Sequence, residues 1–220
     1  MILEKAFFNR DACVVASDLL GKVIRHKYRQ HWLSAQIIET EAYYIDEKGS
    51  HSSLGESPRR KAMFMPAGTI YMYYARGQDS FNISVRGKGN AILLKSAFPY
   101  ADTLTSEQGL KIMQQLNPQK NGQLRSLEKL CAGQTLLCKA LNLQVSQWDQ
   151  QSFNKVTLYI EDIGYTPKKI IQTTRLGIPV GRDEHKLYRF IDFSHVKNCT
   201  SNPLTKRIKP DYTILTSYKG

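Results

Sequence analysis

Hydrophobic and polar positions first fall into a short helical pattern. Ala12, Val15, Ala16, Leu19 and Leu20 recur at helical spacing, with Asn9 placed as cap and Gly21 as stop. Strand-like runs follow at residues 22–27 and 32–43, divided by a polar turn at Arg29 and Gln30. Residues 46–60 read as a polar loop holding two glycines and one proline. Residues 69–74, 82–86 and 91–95 are β-prone, and Gly87 and Gly89 suggest a hairpin turn between the last two. Residues 105–116 and 126–141 return to helical spacing, the second interrupted near Gly133. Strand character resumes at 156–160 and 187–191, and no repeat or low-complexity segment intervenes. After Asn198 the chain turns polar and basic, with Lys206, Arg207 and Lys209, as in a loose end. The pattern predicts the α+β class: one mixed domain over residues 1–198, a curved and mainly antiparallel sheet flanked by helices, then a polar tail over 199–220.

Composition changes the picture in one respect. The 220 residues and 41% hydrophobic content suit one globular domain, but 31 Lys and Arg against 19 Asp and Glu leave a net charge of +12. That surplus favours an anionic partner, nucleic acid first and an anionic membrane surface second. No apolar run is long enough to span a bilayer, and residues 1–10, with Glu4, do not read as a secretory signal. Cys13, Cys131, Cys138 and Cys199 form no CxxC pair and fit no common zinc spacing. They are expected as free thiols in a reducing, cytoplasmic setting, nucleoid-associated in a bacterium, without metal or cofactor.

Candidate chemistry concentrates in Ile37-Ile38-Glu39-Thr40-Glu41-Ala42-Tyr43. On a strand Glu39, Glu41 and Tyr43 share a face, opposite Ile38, Thr40 and Ala42. Such a face is either a solvated one with two ordinary acids or a functional one. His51 lies in the polar loop. Phe64, Tyr71, Tyr73, Tyr74 and Phe81 cluster within a short stretch, as a core edge or as a stacking surface. From Arg59 to Lys95 there are seven basic residues against one acid, Asp79. Basic residues interleaved with aromatics suit a surface that tracks a nucleic-acid backbone.

These residues occur within a longer set of ordered blocks. They include Asp18-Leu-Leu-Gly-Lys22, Glu39-Thr-Glu-Ala-Tyr43, His51-Ser52, Pro58-Arg59, Met63-Phe64, Gly68-Thr69, Tyr71-Met-Tyr73 and Asn82-Ile83. Leu130-Cys-Ala-Gly133, Leu137-Cys138-Lys-Ala-Leu141 and Arg175-Leu-Gly-Ile178 continue the series. Together they resemble the alkyladenine (3-methyladenine) DNA glycosylase family over residues 18–190. The resemblance implies a DNA-repair enzyme that flips a damaged purine out of double-stranded DNA into an aromatic pocket. It implies that Glu41 activates the water that breaks the base–sugar bond, with Glu39 in support. Tyr43, His51 and Tyr73 would form the pocket, Arg175 and Ile178 its wall, and Asn82 a screen against normal guanine. The enzyme would be a monofunctional glycosylase, a monomer, needing no membrane.

Three departures from the family pattern stand out. The family's intercalating tyrosine falls at Arg76, in a loop one residue shorter, so Arg76 or Tyr74 would serve as the wedge. A family arginine is Lys95 here. The Pro-Arg-Asn pattern reads Pro58-Arg59-Arg60, and the usual ending after Phe190 is missing. Arg59, Arg76, Tyr74 and Lys95 are the expected DNA contacts. Rival readings are a nuclease with Glu39 and Glu41 sharing a metal ion, a lyase-type glycosylase with Lys95 as amine nucleophile, and an inactive basic lesion-binding module. No third ligand accompanies the two glutamates in the sequence, and no borohydride-trapped adduct is expected.

Overall fold

The computed structural model describes residues 1–207 and 210–216. It opens with two short helices, α1 (Lys5–Phe8) and α2 (Ala12–Asp18). The cap of α2 is Asp11 instead of Asn9, its carboxylate accepting from the Cys13 and Val14 N–H groups at 2.9 and 3.3 Å. Both residue types cap well, so periodicity alone could not choose between them. Ala12, Val15, Ala16, Leu19 and Leu20 are buried as their spacing predicts. Gly21 follows at a φ of 85°, where a Cβ would strike the Tyr165 ring.

β1 (Val23–Tyr28) and β2 (His31–Tyr43) form a hairpin, and β3 (Ile70–Ala75), β4 (Gln78–Ser84) and β5 (Ala91–Pro99) form a meander. α3 (Glu107–Leu116), α4 (Leu127–Leu130), α5 (Gln134–Ala140) and α6 (Val145–Trp148) come next. β6 (Leu158–Glu161), β7 (Lys169–Thr173), β8 (Arg189–Asp192) and β9 (Tyr212–Thr216) complete one antiparallel sheet. Its main order is β3-β4-β5-β2-β8-β7-β9, with β1 bridging β2 and β6. The α+β class therefore holds. Four elements, α1, α6, β7 and β9, carry no clear pattern because each spans five residues or fewer, too short for periodicity to register.

The chain beyond residue 198 is not a loose end where it is described. Cys199 is buried, the Thr200 N–H donates to Glu39 at 2.8 Å, and the Ser201 carbonyl accepts from Arg189 at 2.6 Å. β9 then pairs with β7 along its length. Much of this anchoring uses backbone groups, which polar composition does not reveal. The boundary expected at 198 thus falls inside a packed segment. Lys209 of the expected tail lies outside the described residues.

β2 carries the site. One edge pairs with β5 from Ala35 to Tyr43; the other pairs with β1 up to Gln36 and with β8 from Glu39 to Glu41. The β5 register slips on both sides of Glu39. Before the slip, odd-numbered Leu33, Ala35 and Ile37 enter the main core. After it Ala42 does, and Thr40 donates its hydroxyl proton to the Ala16 carbonyl of α2 at 2.7 Å. The bulge changes which parity faces the core, and so turns Glu39, Glu41 and Tyr43 away from α2.

Candidate active site

Glu41 is fully buried and satisfied on both oxygens. The Tyr43 hydroxyl donates to Oε2 at 2.7 Å and the Leu176 N–H to Oε1 at 3.3 Å; Lys95 Nζ stands 3.5 Å from Oε1. Burial pushes the carboxyl pKa up, but Lys95, the Tyr43 hydroxyl, Arg189 and the Leu176 N–H outweigh it and hold it below the ordinary value. Burial, and then the Glu41 charge, raise the Tyr43 phenol well above its usual range. The pair is therefore a carboxylate facing a neutral donor.

Glu39 points to the same side but is engaged elsewhere. Arg189, directly opposite Glu41 in the β2–β8 register, reaches Glu39 at 2.7 Å. Ser96 and the Thr200 N–H donate to its other oxygen. The two glutamates hold two separate cations, Arg189 and Lys95.

Above Glu41 opens a cavity of about 970 Å³. Tyr43, Lys95 and Leu176, its three contacts, all line it. β3 contributes Tyr71 and Tyr73, whose rings stack at 5.5 Å and 21°. The 3-10 turn His51–Leu54 brings the His51 ring to 4.4 Å from that of Tyr73, nearly perpendicular, and His51 Nδ1 to 3.3 Å from the Tyr71 hydroxyl. Desolvation, with Arg60 and Arg182 nearby, lowers the His51 pKa and favours the neutral ring. Asn82 lines the cavity with its amide donating to the Tyr71 carbonyl at 3.1 Å, and Ile178 closes another wall. Tyr43, His51, Tyr73, Asn82 and Ile178 thus converge on one space.

Arg175 does not line that space. Its guanidinium grips Glu47 through two 2.6 Å contacts, donates to the Ala42 carbonyl and lies 4.6 Å from the centre of the Tyr43 ring. It supports Tyr43 from behind. Lys95 is likewise no surface contact: it is 8% exposed and bonded to Gln134 at 3.3 Å, because its strand faces inward beside Glu41. Tyr74 and Arg76 sit exposed on the cavity rim, at the β3–β4 turn, whereas Arg59 is exposed but outside the lining. Sequence reasoning missed Glu47, an acid in a polar loop that gives no sign of its buried partner. It also missed Leu176 and Gln134, which act through a backbone N–H and an amide.

The methylpurine-DNA glycosylase family model matches residues 6–195. A Pseudomonas syringae pv. tomato protein provisionally named 3-methyladenine DNA glycosylase is 59% identical over 93% of this chain and 92% of its own length. A similarly named Pseudomonas aeruginosa protein is 54% identical over 93% and 85%. Another, from Carboxydothermus hydrogenoformans, is 29% identical over 83% and 92%. With a family match that covers most of the chain and includes Glu41, the chain belongs to the methylpurine-DNA glycosylase family and is a DNA glycosylase of base-excision repair.

Proposed function

We propose that this enzyme takes an alkylated purine, such as 3-methyladenine, from double-stranded DNA into the aromatic cavity and hydrolyses its N-glycosidic bond. The observation that carries this reading is a carboxylate held ionised against Tyr43, on the wall of a cavity that stacked tyrosines and a neutral histidine also line. Alkylated purines carry positive charge, so they stack well on electron-rich rings and leave readily as neutral bases. The bond breaks through a transition state with positive charge on the sugar. Glu41 stabilises that charge and takes a proton from the attacking water. Tyr43 aims the carboxylate, Arg175 supports Tyr43, and Lys95 keeps Glu41 ionised. Tyr73 and His51 hold the base; Asn82 and Ile178 shape the cavity against undamaged purines. Arg76 and Tyr74 on the rim meet the duplex, with Arg59 further out on its backbone. One chain carries the whole set, so the enzyme acts as a monomer.

Release of bases from methylated duplex DNA, with the freed bases identified, tests the reading. Glu41→Gln should abolish release and leave duplex binding near that of the unaltered chain. Near-normal release by this variant would refute the assignment, and binding without release by the unaltered chain would favour a lesion-binding module.

A further inference from the structure

Three cationic side chains line the cavity: Arg76, Lys95 and Arg182. Lys95 is buried beside Glu41, and Arg76 stands exposed on the β3–β4 turn. Arg182 is exposed as well, yet its direction is set. Its Nε donates to the Lys48 carbonyl at 2.9 Å, and its Nη2 donates to the same oxygen. Two stretches of chain are clamped together around this grip. The Lys48 N–H donates to the Asp183 carboxylate at 2.8 Å, so bonds run in both directions. Gly49 permits the close approach: a Cβ there would lie 2.9 Å from the Arg182 carbonyl oxygen and 3.2 Å from the Ile178 side chain. The clamp thus ties the cavity wall at Ile178 to the mouth at Arg182. The neighbouring acids are engaged elsewhere, Asp183 with the Lys48 N–H and Lys186, and Glu184 with the Gly181 N–H.

A guanidinium can hold an anion through either of two edges. In Arg182 the Nε–Nη2 edge is occupied by the Lys48 carbonyl. The Nη1–Nη2 edge is left, and no described residue accepts from Nη1. That edge is planar and permanently charged, which suits two oxygens of one phosphate. A nucleotide that turns out of a duplex into the cavity brings its two flanking phosphates to the mouth, because the backbone stays continuous. We propose that Arg182 is a phosphate clamp: its free edge holds one phosphate flanking the flipped nucleotide and so sets how far that nucleotide enters the cavity. The proposal rests on the reading that a damaged nucleotide occupies this cavity. Such a contact positions the substrate without reading its sequence. Tethered to Lys48, the guanidinium loses less freedom on binding than an untethered one would.

The test measures binding of the full chain to a duplex carrying a tetrahydrofuran abasic analogue, which has no base to release. Two further duplexes replace one or the other flanking phosphate with an uncharged methylphosphonate. On the all-phosphate duplex, Arg182→Met should weaken binding about tenfold, the loss of a hydrogen-bonded charge pair. It should also reduce the slope of log affinity against log salt by about 0.9, as expected for one phosphate contact. Methylphosphonate at one of the two positions should weaken binding by the unaltered chain to a similar extent. At that position Arg182→Met should add no further loss. Arg182→Lys keeps the charge and gives up the bidentate edge, so it should keep the salt slope and recover only part of the affinity. An equal loss from Arg182→Met on all three duplexes would mean that Arg182 only ties down Lys48, and overturns the proposal. Should Arg182→Met fold poorly, the same three-duplex comparison with Arg182→Lys decides the matter. Base release from methylated duplex by the unaltered chain, measured in parallel, separates the two readings. Release with equal losses on all three duplexes overturns the clamp alone, and coupling at one phosphate without release overturns the hydrolytic reading alone.

Discussion

Glu41 owes its charge state to four groups from four separate stretches of chain: Lys95, Tyr43, Arg189 and the Leu176 N–H. Each favours the ionised form, and together they outweigh burial. On the proposed mechanism ionised Glu41 is the base, so activity should be present above its pKa and lost as pH falls through it. Tyr43→Phe keeps the ring and deletes the hydroxyl bond, which removes one of the lowering influences. The acid limb of kcat/KM should therefore move to higher pH. A limb that stays in place would mean that Tyr43 contributes only its ring. The motif from Glu39 to Tyr43 was legible as a pair of acids and an aromatic. Their division of labour was not, since Arg189 and Thr200, which claim Glu39, lie more than a hundred residues away.

Two elements do most to place the site. The bulge in β2 switches the core-facing parity after Ile37, so Glu39, Glu41 and Tyr43, which simple alternation from Leu33 would bury under α2, turn to the other side, and Tyr43 lines the cavity. The β3–β4 hairpin sets the rim. Ala75 pairs with Gln78, and the two turn residues, Arg76 and Gly77, have φ of 51° and 75°, as a type I′ turn requires. Glycine adopts that conformation freely, but for arginine the left-handed region costs roughly 1 kcal/mol. Asparagine suits the turn better and lacks the charge. Arg76→Asn should hold or raise stability in a denaturant melt while weakening duplex binding in a titration. Unchanged affinity would move the DNA-contacting role to Tyr74, which stands 60% exposed beside it.

At the scale of the whole molecule, the C-terminal segment closes what the first half begins. Thr200 lines the cavity and bonds Glu39, while Ser201 takes a proton donor of Arg189. The Glu39–Arg189 pair is fully buried, so removing these partners leaves charged groups under-satisfied, at about 1–3 kcal/mol for each lost bond. A chain ending at residue 198 should therefore unfold at lower denaturant concentration and release methylated bases more slowly. Unchanged stability and rate would show that the described residues after 198 only cover the sheet. The same segment explains why the tail was misread: its order comes from distant partners, and its own composition is that of a loop.

The sequence by itself determined the α+β class, the buried face of α2, the strands that carry the site and the residue types able to activate water and stack a base. Those are local properties, written in spacing and in blocks short enough to read directly. Only the tertiary structure decided that Arg175 backs Tyr43 instead of touching the cavity space, that Glu39 belongs to Arg189, and that Lys95 stands beside Glu41 instead of on the surface. Each of these is a pairing between groups far apart in the chain. Which partner a buried charge finds depends on how strands register and where a bulge falls, and one residue of slip sends every following side chain to the other face.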